Sequence, residues 1–263
     1  MTRLMSLPAV VLVIGGLAFA LLAAVVARLT LRALIPAGER ESAYGVAAPL
    51  MTAFGAVFAI LMALSLASEV GYLVAAQGVV ASEAADTSRL AWAATGVGIN
   101  PAPIQSALSD YLRVTRTYEW HGNNAAAGND LPTAHAIASL EDAVRGAAAR
   151  PGLGTPASTE LLASLDAVTN DRRARLAAAS RQFPALYVIV LAVSGVALIG
   201  NATALTLRGS WRATLLVGGL SVVIGLSLAL LFALGTPWRG PVSVSGQPID
   251  SVVHDLNIGY FRR

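Results

Sequence analysis

Four stretches of the chain carry no ionisable side chain, and they set the pattern from which the rest is read. They lie between Arg3 and Arg28, Glu41 and Glu69, Arg181 and Arg208, and Arg212 and Arg239. Each exceeds the roughly 20 apolar residues that cross a hydrocarbon core of about 30 Å as a helix. A charge at the bilayer centre costs several kcal/mol, so such windows are what spanning helices require. Core helices of soluble proteins are shorter and keep a polar face. The pattern therefore predicts an all-α integral membrane protein with four transmembrane helices, over residues 5–29, 43–68, 183–207 and 213–237. A helical extramembrane domain, 69–181, falls between helices 2 and 3, and a tail covers 238–263. The first apolar run is too long for a signal-peptide core and reads as a retained helix.

The middle segment changes from continuous apolarity to helical periodicity. No turn signal separates Ala67 from Ala94, so the second membrane helix is expected to continue outward. Asn100-Pro101 is a cap with proline at the first helical position. Ile104, Ala107, Leu108, Tyr111, Leu112, Thr115 and Tyr118 then recur at helical spacing. Gly122-Asn123-Asn124 should end that helix, and a shorter one is expected around Thr133–Ala149. Ser158 or Thr159 opens a long helix running through Arg172, Arg173 and Arg175. No strand pattern competes; Val242-Ser243-Val244-Ser245 alternates but reads as tail.

Small residues recur every fourth position along the second helix: Gly55, Ala59, Ala63, Ala67, Gly71 and Ala75. Ser221, Gly225, Ala229 and Ala233 repeat the pattern on the fourth. In lipid such ladders let helix backbones approach closely, which makes both stripes candidate contact faces, within the subunit or between subunits.

Composition agrees with the membrane reading: 56% of the 263 residues are hydrophobic and 13% charged, against about 25% charged in soluble domains. Trp211, Trp238, Tyr44 and Tyr187 lie near window ends, where amphipathic rings favour the headgroup region. The absence of cysteine excludes disulfides and thiolate metal sites. Residues 69–181 hold 9 Arg against 11 acidic residues, a net of −2, which argues against nucleic acid as a partner. Arg28, Arg32, Arg40, Arg208 and Arg212 on one side balance Arg3, Arg172, Arg173, Arg175, Arg181 and Arg239 on the other, so charge alone leaves the orientation open.

Candidate chemistry is sparse. His121, His135 and His254 share no metal-ligand spacing. No phosphate loop or nucleophile elbow is present, so no cofactor and no enzymatic activity are expected. Asn201-Ala202-Thr203 falls inside the third membrane helix, where Asn201 is better suited to a helix–helix hydrogen bond than to glycosylation. Glu83, Asp86 and Glu119 are expected near Arg172 or Arg175, as an ion-pair network that fixes helix register. No ionisable group falls in mid-span, which disfavours proton-coupled carriers. A channel stays open, because pores can be lined by apolar constrictions, hydroxyls and helix ends.

Several residues taken together resemble the bestrophin-like family of bacterial membrane proteins. They are Tyr72 and Ala75, Glu83-Ala84 and Leu90, Tyr111 with Glu119-Trp120, Arg172-Arg173-Ala174-Arg175-Leu176, Phe183-Pro184, and Pro237-Trp238-Arg239-Gly240 with Val242 and Val244. The chain departs from the family pattern at Gly235-Thr236 and at Trp238. The resemblance offers no catalytic or binding residues to carry over. It implies likeness to bestrophins, which are pentameric anion channels with four membrane helices per subunit and cytosolic termini. The expectation is therefore a multi-pass inner-membrane protein with cytoplasmic middle domain and termini. Lipid would surround it, and it would act as an oligomeric channel subunit for anions or small ions. The alternative is a non-conducting subunit or scaffold of a larger envelope complex.

Overall fold

The computed structural model describes residues 8–120, 125, 127–128, 130–181, 184–207, 209, 211–235, 237–238 and 241–261. Among them the regular elements are helical. Helix α1 is Ala9–Leu34, and a 3₁₀ turn at Ala37–Glu39 leads into α2, Arg40–Ala93. Then come α3 (Pro101–Tyr118), α4 (Leu131–Ala148) and α5 (Thr155–Ser180). Helices α6 (Ala185–Leu205), α7 (Trp211–Leu234) and α8 (Gln247–Asn257) complete the chain. Four candidate spans, long and apolar enough to cross a membrane, fall within Ala9–Leu34, Ala37–Ala93, Thr155–Leu205 and Trp211–Leu234, the third taking in both α5 and α6.

The described residues form two compact units. One comprises the residues up to Tyr72 with 184–235 and 241–242; the other comprises 73–181, 237–238 and 243–261. The first is the membrane unit, an assembly of apolar helices. Its inner cluster includes Ala20, Phe58, Met62, Leu191, Ile199, Ile224 and Leu228. Helices α1 and α7 pack where glycine meets glycine. A β-carbon on Gly225 would lie 2.7 Å from the Gly16 carbonyl oxygen, and one on Gly16 would lie 2.5 Å from that of Gly225. Only glycine permits this approach. Ser221 and Ala229, one turn to either side, are buried with Gly225. Large apolar side chains such as Leu64, Val193 and Leu216 point outward at 63–76% exposure, which suits hydrocarbon rather than water. Two polar contacts tie helices together: Arg28 Nη1 donates to Thr214 Oγ1 at 2.6 Å, and Asn201 Nδ2 donates to the Ala47 carbonyl at 2.9 Å.

The extramembrane unit has an ordinary oily core, with Val80, Leu90, Ile104, Leu108, Leu112, Leu140, Val144 and Leu161 shut from solvent. Asn100 caps α3 by accepting the Ala102 N–H at 3.2 Å. Helix α5 starts at Thr155, ahead of the expected Ser158 or Thr159, because Gly154 is already extended and Pro156 is preset for a first helical turn.

Two sequence expectations change. Residues 238–263 are not merely tail, since α8 buries Ile249, Val252 and Leu256, spaced for one helical face, in this core. Trp238 is not a headgroup-level ring. It is 4% exposed and packs edge-on against Trp120, ring centres 5.3 Å apart. Trp211, Tyr44 and Tyr187 are exposed.

Candidate functional site

The densest polar cluster lies inside the extramembrane unit, where three helices each contribute charge. Helix α2 presents Glu83 from a face that also buries Val80, Ala84 and Thr87. Helix α3 presents Tyr111 and ends at Glu119, whose N–H closes the last turn on the Thr115 carbonyl. Helix α5 presents Arg172 and Arg175 one residue short of a full turn apart. Glu83, Tyr111, Glu119 and Arg175 are all at 0% exposure.

Arg175 is held at every nitrogen. Its Nε donates to Glu83 Oε2 at 2.7 Å, Nη2 to Glu119 Oε2 at 3.1 Å, and Nη1 to the Glu119 carbonyl at 3.3 Å. The last bond satisfies a carbonyl that the end of α3 leaves without an intrahelical partner. A cation at that position also complements the negative end of the helix dipole. Arg172 takes the rest of Glu119, with Nη2 to Oε1 at 2.6 Å and Nε to Oε2 at 3.3 Å. Tyr111 Oη donates to Glu83 Oε1 at 2.6 Å. Two guanidinium charges thus face two carboxylates, and all four carboxylate oxygens are bonded.

The electrostatics follow from this closure. Burial opposes the Arg175 charge, but Glu83, Tyr111 and Glu119 outweigh it and push its pKa up. Burial, then the Glu83 charge, push the Tyr111 hydroxyl well above its ordinary value, so it remains a donor. Acid–base work needs a group that can reach a substrate. The recesses on the surface are lined elsewhere, for example by Gln105, Ser109, Arg113 and Asn257 between α3 and α8. The cluster's geometry is that of a lock between α2, α3 and α5.

Trp120 extends this lock toward the C-terminal segment. The Arg116 guanidinium sits 4.5 Å from its ring centre and that of Arg175 5.9 Å. Arg116 also grips Asp250 of α8 with two bonds, at 2.8 and 3.0 Å. Gln77 of α2 clamps the chain just before α8, accepting the Ser245 N–H at 2.9 Å and donating to its carbonyl at 3.2 Å. The Pro237 carbonyl accepts the Val244 N–H at 2.8 Å, closing the turn that places Trp238.

Other residues singled out in the sequence behave differently. Asp86 is half-buried, and the two arginines pair with Glu119 and Glu83 instead. On α2, Gly55 is half-buried and Ala59, Ala63, Ala67 and Gly71 are exposed. A β-carbon on Gly55 or Gly71 would meet nothing within 4 Å. Among the described residues most of this stripe is left uncovered, whereas Phe58 and Met62 of α2 are buried in the inner cluster. Gly240 and His121 lie outside the described residues, while His135 and His254 are exposed on α4 and α8. Among the described residues no group of three or more His, Cys, Asp or Glu could hold a metal ion.

The sequence did not expose the Arg116–Asp250 and Gln77–Ser245 contacts, whose partners lie far apart in the chain. The nearness of Arg116 and Trp120 in the chain, four residues apart across the end of α3, was the only local signal in this region.

A family model described as Bestrophin-like domain matches residues 18–249. The fold is also that of solved bacterial bestrophin homologues. Two point variants of the homologue from Klebsiella pneumoniae superpose with TM-scores of 0.69 and 0.68, each at 12% identity and over 93% of this chain. They are covered over 99% and 97% of their own lengths. A further structure, a point variant described only as a membrane protein, gives a TM-score of 0.68 at 12% identity, covering 95% of this chain and 99% of the other. No curated protein matches in sequence.

Proposed function

Because the chain belongs to the bestrophin-like family, we propose that it is one subunit of a homo-oligomeric channel passing anions or other small ions. The observation that carries this reading is the unfilled stripe of α2. Gly55, Ala59, Ala63, Ala67 and Gly71 form a continuous face of small residues, half-buried at Gly55 and otherwise left uncovered among the described residues. A face of this kind suits close approach to further copies of α2, around an axis that small ions could follow. The membrane crossings fall within 5–29, 43–68, 183–207 and 213–237. The setting is a bacterial plasma membrane, with the middle domain and both termini on the cytoplasmic side. Glu83, Glu119, Trp120 and Arg175, all buried, with half-buried Arg172, keep α2 in register with α5, a structural role and not a catalytic one. Pro237 opens the turn that leads toward α8.

Mild detergent extraction followed by mass measurement should yield a ring of identical subunits. Liposomes containing that ring should pass small ions. Gly55→Leu with Ala63→Leu should abolish the ring. A well-folded ring without flux would defeat the channel reading, and stoichiometric recovery with a different protein would favour a non-conducting envelope subunit.

A further inference from the structure

Where α1 ends and α2 begins, an open groove lies beside the C-terminal end of α6. Ile35, Val46 and Leu50 supply its apolar lining, and Glu39, Ser42 and Asn201 its polar one. Ala43, Ala47 and Ala204 also line it and are too small to fill it. At about 520 Å³ it has the room of a small-molecule site rather than that of a single ion. Ala204 borders a second recess as well, with Arg40, Glu41 and Tyr44 on its lining.

The two recesses differ in charge. Arg40 is half-buried, and its Nε is closed off from solvent without an acceptor among the described residues. A guanidinium N–H in that state favours an oxyanion. Glu41 is already engaged, whereas Glu39 is exposed and in no ion pair among the described residues. Depth sorts the groups further. The chain is charged from Glu39 to Glu41 and wholly without charge from Ser42 to Ser68. The crossing proposed above therefore puts Glu39 and Arg40 at headgroup level and Val46 and Leu50 in hydrocarbon. Tyr44, 55% exposed, marks the boundary between them. A protein partner suits this groove less well, because it would have to strip water from both charges.

We propose that the groove binds a glycerophospholipid with a primary ammonium headgroup. One acyl chain lies along Ile35, Val46 and Leu50, the phosphate meets Arg40, and the ammonium meets Glu39. A phosphoglycerol headgroup offers Glu39 no cation. A trimethylammonium keeps the charge but has no N–H to donate, and its usual recognition is by several aromatic faces. Tyr44 is the single aromatic residue on either lining among the described residues. The site rests on the proposed crossing of α2 and not on ion conduction.

The test presents the full chain, in mild detergent, with phosphatidylethanolamine, phosphatidylglycerol or phosphatidylcholine of identical acyl chains. Native mass spectrometry counts the lipid retained. Wild type should keep the ethanolamine lipid roughly fivefold over the other two, the scale of one exposed charge pair. Glu39→Gln should erase that preference, and Arg40→Gln should weaken retention of all three. Ala43→Leu should block retention and leave the oligomer intact. Equal retention of the three lipids by wild type overturns the proposal, as does a preference that survives both charge substitutions. Loss of the oligomer in Ala43→Leu with lipid still retained assigns the groove to a second copy and also overturns it. Should the variants not be recovered folded, wild type decides alone: successive N-methylation of the ethanolamine headgroup should lower retention, and a flat series overturns the site. Retention should persist in the subunit dispersed by Gly55→Leu with Ala63→Leu, so failure of the ring and failure of this site are told apart.

Discussion

The membrane unit and the extramembrane unit both draw on α2, yet they hold their helices together by different means. In the membrane unit, α1 and α7 meet through bare backbone at Gly16 and Gly225. Lipid solvates apolar side chains as well as a protein interior does, so close van der Waals fit replaces the hydrophobic drive. In the extramembrane unit water supplies that drive, and the core of Val80, Leu90, Ile104, Leu108 and Leu140 is conventional. There the specificity comes from charge: Arg175 at 0% exposure lies between Glu83 and Glu119. A buried pair adds little net stability over apolar residues, but losing one partner is severe. Glycine thus does in one unit what a guanidinium does in the other, which is to allow one helix register and penalise its neighbours.

The comparison is tested most strongly at those two positions. Arg175→Ala leaves the buried Glu83 carboxylate without a cation and Glu119 with Arg172 alone, and should cost about 3–5 kcal/mol. The measurement is the Tm and the monodisperse fraction on size exclusion; Arg175→Lys should recover only part of the loss, because one ammonium cannot reproduce the forked contacts. In the membrane unit, Gly225→Val pushes a side chain into the Gly16 carbonyl, 2.7 Å from the first added carbon. Overpacking against backbone should cost about 1–3 kcal/mol. Gly218→Ala and Gly219→Ala, on the same helix but with nothing within 4 Å, should leave the Tm unchanged. If all three glycine variants melted alike, the special status of the Gly16–Gly225 crossing would be lost.

This contrast also marks what could be read in the chain beforehand. The membrane helices were legible because charge exclusion is a one-dimensional signal, visible from Arg3 to Arg28 or Arg212 to Arg239 without a partner. Long-range facts were not. Trp238 looked like a headgroup ring because it ends an apolar window, and only its packing on Trp120 places it in a core. The spacing of Ile249, Val252 and Leu256 fits one helical face, but a helix of 11 residues carries too short a pattern to show by itself which core covers that face. Asp86 shares a face with Glu83, so grouping it with the arginines was reasonable. The pairing decides otherwise, since Asp86 lies nearly one turn farther along α2 and both guanidinium groups are taken by Glu83 and Glu119. The two small-residue ladders were indistinguishable as text, although α7 buries its central members and α2 exposes most of its own.

A smaller effect is expected where the extramembrane unit holds its C-terminal helix. Arg116→Gln removes a two-bond contact to Asp250 that is partly open to water, and a guanidinium stacked on Trp120. Exposed pairs and cation–π contacts of this kind contribute roughly 1 kcal/mol together. Hydrogen exchange across Gln247–Asn257 should accelerate in the variant, and high salt should narrow the gap from wild type. A variant with wild-type exchange would mean that Ile249, Val252, Leu256 and the Gln77 clamp suffice.

The smallest change is expected at Gly55, and it separates the two ladders most cleanly. A methyl there enters open space within the chain, and alanine is favoured over glycine in a helix interior by roughly 0.5–1 kcal/mol. Gly55→Ala should therefore leave the Tm of the dissociated subunit unchanged or slightly raised, the opposite of Gly225→Val. Gly55→Leu should also be tolerated by the isolated subunit, because a β-carbon there meets nothing within 4 Å among the described residues. If the α2 stripe is where copies meet, the two substitutions diverge only in the assembly: alanine keeps the oligomer and leucine disperses it. Were Gly55→Ala to destabilise the isolated subunit, α2 would have to be packed inside the chain as α7 is, and the difference between the ladders would vanish.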